Sequence, residues 1–76
     1  MEKLVRSLVT PLIDHPDEMK IDVETSDNSI SVTIHVINED MGQIIGKHGR
    51  IANALRTVLK AVGARNHKKV YVEIVE

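Results

Sequence analysis

The sequence predicts an α+β domain in which three helices cover one face of a three-stranded mixed sheet. Apolar residues recur at helical spacing over residues 3–14 and 50–62, and alternate at strand spacing over 21–25, 30–36 and 70–75. A capping signature at Asp40 adds a short helix, so the order is helix, strand, strand, helix, helix, strand. The length, 76 residues, confines these elements to one domain around one small core.

The first helix carries Leu4, Val5, Leu8, Val9, Leu12 and Ile13 on one face. Pro11 withdraws an amide donor and should loosen the last turn. The run His15 to Glu18 closes the helix, because the residue before a proline is pushed out of the α region. Ile21, Val23 and Thr25 then alternate with Asp22 and Glu24, Ser26 to Ser29 reads as a turn, and Ile30, Val32, Ile34 and Val36 oppose Ser31, Thr33 and His35. These two strands form a hairpin. Asp40 and Gln43 have the spacing of a capping box, which starts a helix over 41–45 with Glu39 and Asp40 complementing its positive end and Gly46 as its cap.

From Gly49 or Arg50 to Val62 a further helix places Ile51, Leu55, Val58 and Val62 on one stripe, and Gly63 ends it. Val70, Val72 and Ile74 alternate with Tyr71, Glu73 and Val75 in the third strand. With strands two and three as neighbours, the helix pair is their crossover and they run parallel, while strand one returns antiparallel on strand two. Thr33, His35 and Tyr71 belong to the open face, which Tyr71 helps to cover.

Charge is unevenly spread. Residues 1–40 carry three Lys and Arg against nine acids, a balance of −6, whereas 41–76 carry seven against two, a balance of +5. A basic segment inside a nearly neutral protein points to a local anionic partner. With no cysteine, disulfides, thiolate metal sites and a cysteine nucleophile are excluded. The four histidines, His15, His35, His48 and His67, are scattered over different elements and propose no metal site. Asp22 and Glu24 read as solubilising strand residues. No nucleophile and base fall together, so neither an enzyme nor a cofactor is expected. The N-terminus, with Glu2, Lys3 and Arg6, lacks an apolar run that could lead or anchor the chain, and a cytoplasmic setting is expected.

The segment IIGKHGR, Ile44 to Arg50, holds two of the four glycines, Gly46 and Gly49, around a basic pair. Gly46 allows a left-handed helix end, and Gly49 allows close approach of a ligand backbone. The amides of Lys47, His48 and Gly49 lie near a helix N-terminus, where free donors and the dipole favour an anion. Lys47 and Arg50 add charge, and His48 adds hydrogen bonds.

Placed at this helix–helix junction, IIGKHG resembles the signature loop of K-homology (KH) domains, and the element order is that of their type II form. With TPLIDHPD upstream and GKHGRIANALRTVLKA downstream, the whole chain is similar to the stand-alone bacterial KH proteins of the KhpA (YlqC-like) family. One departure is Ala52, three positions after the second glycine, where the commonest KH pattern has a larger aliphatic; Ile51 stands one place earlier. The resemblance implies single-stranded RNA binding, with about four nucleotides clamped by the loop. The residues matched are Ile44, Ile45, Gly46, Lys47, His48, Gly49, Arg50 and Arg56, with bases in a groove beside Ile44, Ile45 and the edge of strand two. It further implies an RNA chaperone that works with a larger KH-containing protein, KhpB (Jag or EloR), in gene expression, cell-wall homeostasis and elongation. The broad apolar arc of the 50–62 helix and the small core suggest a homodimer through Ile51, Ala52, Asn53 and Arg56, a surface that could also meet the larger partner. Two rivals remain, a DNA-binding helix-turn-helix and a protein-interaction module in which the loop is vestigial.

Overall fold

The structure, a computed structural model, describes residues 1–45 and 50–76, with Ile45 and Arg50 described by backbone alone. Helix α1 spans Glu2–Val9, and at Pro11 the chain tightens into a 3-10 turn, Thr10–Leu12. A second 3-10 turn, Pro16–Glu18, leads into β1 (Lys20–Thr25) and β2 (Ser29–His35). Helices α2 (Asn38–Ile45) and α3 (Arg50–Arg65) follow, and β3 (Lys69–Val75) completes the chain.

The architecture is the expected one, three helices and a three-stranded mixed sheet in the order β1-β2-β3. β1 pairs antiparallel with β2, setting Ile21 opposite Ile34 and Val23 opposite Val32. β2 pairs parallel with β3, setting Ile30 beside Val70 and Val32 beside Val72. The period-2 alternation of β2 therefore puts Ile30, Val32 and Ile34 in the core and Ser31, Thr33 and His35 on the other face. Val5 and Val9 of α1, Ile44 of α2 and Ala52, Leu55 and Leu59 of α3 close over that apolar face. In the hairpin turn Ser26 N–H donates to Ser29 O at 2.8 Å, and Ser29 N–H donates to Ser26 Oγ at 3.2 Å, the hydroxyl contact that suits serine to turns.

Three local expectations are corrected. The first helix is shorter than residues 3–14 because the proline breaks it, and Leu4 and Leu12 remain more than a third exposed while Val5, Val9 and Ile13 are buried. Helix α2 begins before Met41: Met41 N–H donates to Ile37 O at 2.9 Å, so Asp40 lies within the first turn and is not the cap of a capping box. Gly63 does not end α3. The helix runs on to Arg65, and His67, at φ 59°, is the left-handed residue that closes it. His67 N–H donates to Ala64 O at 3.1 Å and Lys68 N–H to Gly63 O at 2.9 Å, the paired bonds of a Schellman ending.

Gly63 is needed for a different reason: a Cβ there would run into the Val70 side chain and sit 2.8 Å from Lys68 O. The absent side chain lets α3 lie directly on the start of β3. Gly42, in α2, has nothing within 4 Å of such a Cβ. Gly63→Ala should therefore cost about 1–3 kcal/mol through overpacking, lowering Tm in a thermal melt by roughly 4 °C or more. Gly42→Ala should raise Tm slightly, since helix propensity alone changes there.

Candidate nucleic-acid interface

Helices α2 and α3 bracket Gly46, Lys47, His48 and Gly49, which lie outside the described residues together with the side chains of Ile45 and Arg50. What fixes α2 is a carboxylate. Asp40, 1% exposed, accepts hydrogen bonds from the backbone N–H of Asp14 at 3.0 Å and of His15 at 3.1 Å. The His15 ring approaches the same carboxylate, Nδ1 to Oδ1 at 3.3 Å, and its Nε2 is 3.8 Å from Glu39 Oε2. About one helical turn further on, Gln43 Nε2 donates to Asp14 Oδ2 at 2.6 Å. The α2 helix is thus tied to the connection between α1 and β1 by side chains of its first two turns.

The hydrogen bond to Asp40 is the main cause that raises the His15 pKa above its ordinary 6.5. For Asp40, burial pushes the pKa upward, but the donors from Asp14 and His15 outweigh it and hold the carboxyl below its ordinary 3.8. No local sequence signal announces this network. Its members are separated by 25 and 26 residues, and the Asp40–Gln43 spacing suggests a helix cap instead.

Along α3, one flank borders the sheet. Arg56 Nε donates to Val72 O at 3.5 Å, and its Nη1 to Asn53 Oδ1 at 3.3 Å, so a guanidinium lies against the outer edge of β3. The expected strand-two edge is not available, because β2 is the central strand and is paired on both sides. The free edge beside α3 belongs to β3, since the parallel crossover delivers the last strand to the outside. Ile44 is buried in the core and supports the end of α2 from within.

The other flank of α3 faces α1. Leu8 and Leu12 with Ile51, Ala54, Leu55 and Val58 line an apolar groove of about 240 Å³. Val58 is 43% exposed within it. The four residues singled out for an interface are thus distributed: Ile51 lies in this groove, Ala52 is packed in the core at 5% exposure, and Asn53 and Arg56 lie on the β3 side. Tyr71 stands beside Ser31 on the open face as expected, is 58% exposed, and at the edge of β3 also borders a cleft with Lys60 and Ala64 of α3. On the open face itself His35 Nε2 donates to Asp22 Oδ2 at 3.1 Å. Among the described residues no group of three His, Asp or Glu side chains could hold a metal ion, and no helix is long and apolar enough to cross a membrane.

The model of the KhpA/KhpB KH domain matches residues 2–74. The chain is 50% identical over 76 residues to RNA-binding protein KhpA of Listeria monocytogenes serovar 1/2a, covering the whole of both. It is 44% identical over 75 residues to RNA-binding protein KhpA of Clostridium acetobutylicum, covering 99% of this chain and all of that one. It is 43% identical over 74 residues to RNA-binding protein KhpA of Bacillus subtilis strain 168, covering 97% of this chain and 91% of that one. No solved structure matches the chain.

The Asp40–His15 pair makes stability depend on pH in two directions. The lowered Asp40 pKa contributes stability that is present above 3.8 and is lost as pH falls through the folded-state value. The raised His15 pKa contributes stability that is present below 6.5 and is lost as pH rises through its folded-state value. Both are present between those limits. Thermal melts from about pH 3 to about pH 8 should show Asp40→Asn melting below wild type at about pH 5.5, with a flatter acid limb, and His15→Ala losing the alkaline limb.

Proposed function

The chain belongs to the KhpA/KhpB family of KH domains, and from that membership we propose that it binds single-stranded RNA, clamping the backbone at Gly46-Lys47-His48-Gly49. The observation that carries the reading is the junction itself. α2 ends at Ile45, α3 begins at Arg50, and the residues between are a basic pair flanked by glycines. Such a loop offers backbone donors and positive charge to phosphates, and Gly49 removes the Cβ that would hold a backbone away. Arg50 and Arg56 would carry the charge onto α3, and Ile45 the apolar wall.

A single strand is favoured over a duplex by the composition of α3. The exposed strip of α3 between its two flanks offers Ala54, Thr57, Ala61 and Ala64, and the Thr57 hydroxyl is already donated to Asn53 O at 2.9 Å. A recognition helix needs Arg, Lys, Asn or Gln directed at base edges; here Asn53 and Lys60 border the strip on the β3 side and Arg65 stands at its end, leaving small residues at its centre. The names of the relatives, each an RNA-binding protein, favour RNA as the strand.

The finer reading is that of a cytoplasmic RNA chaperone that pairs through the α1–α3 face, with a second copy or with the KH domain of KhpB, and acts through that partnership on gene expression, the cell wall and elongation. Its support is physical as well as familial: the groove of Leu8, Leu12, Ile51 and Val58 leaves apolar surface uncovered on a chain that gains much from further burial. A pair would present two loops and raise the effective affinity of weak sites.

Two outcomes are expected. Lys47→Asp combined with His48→Asp should remove binding to single-stranded RNA in a filter or fluorescence titration while the circular dichroism spectrum and Tm stay near wild type. Normal binding by this folded variant overturns the clamp. Val58→Glu should shift the sedimentation mass from dimer to monomer with the fold retained, because Val58 is exposed where Ala52 is not. A wild-type protein that sediments as a monomer at high concentration removes the dimer and leaves the loop assignment standing.

A further inference from the structure

We infer that the RNA path does not end at the loop but continues to a second contact site at the far end of α3, where Lys60, Lys68 and Lys69 bind phosphates and Tyr71 stacks on a base. The inference rests on the RNA reading above and extends it to residues that the loop motif does not include.

The site is a cleft of about 390 Å³ between α3 and the first half of β3, lined by Lys60, Ala64, Lys68, Lys69, Val70 and Tyr71. Beyond it a shallower space of about 720 Å³, shared with Lys68, Lys69 and Tyr71, adds His67 and the hairpin turn at Asn28 and Ser29. Lys60 stands one helical turn past Arg56, on the same side of α3. The row Arg56, Lys60 therefore follows the free edge of β3 away from the loop, and Lys60 lies about 15 Å from Arg50 along the helix axis.

Charge in this cleft is uncompensated. Among the described residues, the close pairs between a basic and an acidic side chain involve only His15 and His35, so none of these lysines is paired with a carboxylate. No Asp or Glu is among the lining residues of either space. Three neighbouring cations without acids disfavour one another, and a polyanion relieves that repulsion.

Two features suit a nucleic-acid strand better than a free anion. The single aromatic ring of the chain stands here, exposed at the rim, and a ring beside cations is the combination that holds a single-stranded base by its face and its backbone by charge. The left-handed position that ends α3 is filled by His67 where glycine is the usual residue, and its imidazole joins the wall of the same space. Val70 is buried beneath, so the floor of the cleft is part of the core.

The test compares RNA of about five and about twelve nucleotides of the same unstructured sequence on the full chain, because a KH loop takes about four. The variant Lys60→Gln, Lys68→Gln, Lys69→Gln should bind the short oligomer within twofold of wild type. It should bind the long one about tenfold more weakly, with the slope of log affinity against log salt reduced by about 2 for three lost phosphate contacts. Tyr71→Ala should weaken the long oligomer about fivefold with its salt slope unchanged, since stacking is not ionic. Thermal melts accompany each variant, and Tyr71 and the lysines lie outside the core. Wild-type binding of the long oligomer by the triple variant overturns the second site. Equal weakening of both oligomers also overturns it, because the lysines then act on the loop site. Failure of wild type to bind either oligomer overturns the RNA reading itself, and the extension with it.

Discussion

The parallel pairing of β2 and β3 is the constraint on which the rest of the molecule depends. Two strands that run in the same direction side by side require the chain to return across the sheet between them, and here the return consists of α2 and α3. The ladder is held at both ends, by Lys69 N–H to Asn28 O at 2.9 Å and by Val36 N–H to Val75 O at 3.0 Å. Both helices lie over the apolar face, and the glycines at 46 and 49 fall in the sequence between them. The same topology delivers β3 to the outside of the sheet, and its unpaired edge, capped in part by Arg56 on Val72 O, becomes the wall opposite α3.

A crossover alone does not hold α2, an eight-residue helix that is too short to be stable by itself. Ile44 anchors its last turn in the core, and Asp40 anchors its first. The buried carboxylate accepts two backbone donors from a connection that has no regular ladder in which to place them. Burying this charge without those donors would be strongly unfavourable, so helix and connection order each other. No buried side-chain polar atom among the described residues is left without a partner, which shows how fully this exchange is completed.

The sequence is most legible where one periodicity dominates. β2 alternates without exception, and each strand and the main helix could be read from residue type alone. It misleads where a local pattern competes with a distant contact. Asp40 and Gln43 have the spacing of a cap, yet Asp40 is drawn to residues 14 and 15 and Gln43 to residue 14, separations of 25, 26 and 29 positions. Gly63 looks like a helix end, but the need to clear Val70 decides its identity. Leu4 and Leu12 match the helical stripe and stay exposed because Pro11 shortens the helix. Strand two was expected to supply an edge, and only the sheet order reveals that its two sides are occupied. For the site, the loop residues were recognisable as a motif, whereas the cleft at Lys60 and Tyr71 could not be seen, because it joins a helix and a strand whose relative placement no sequence period encodes.

Helix α3 then serves three surroundings at once, and its residue types are divided accordingly. Leu59 and Ala52 point into the core; Ile51 and Val58 face α1; Arg56 and Lys60 face the β3 edge. Val58 and Lys60 are two positions apart, which at 3.6 residues per turn places them about 160° apart around the axis. The proposed apolar association on one flank and the proposed polyanion contact on the other would therefore not compete for surface. The small outward residues Ala54, Ala61 and Ala64 keep both flanks open, since a long side chain at any of them could fold over into either groove. On this geometry a single sixteen-residue helix can carry partner contact and strand contact together, with the core face keeping the two in fixed relation.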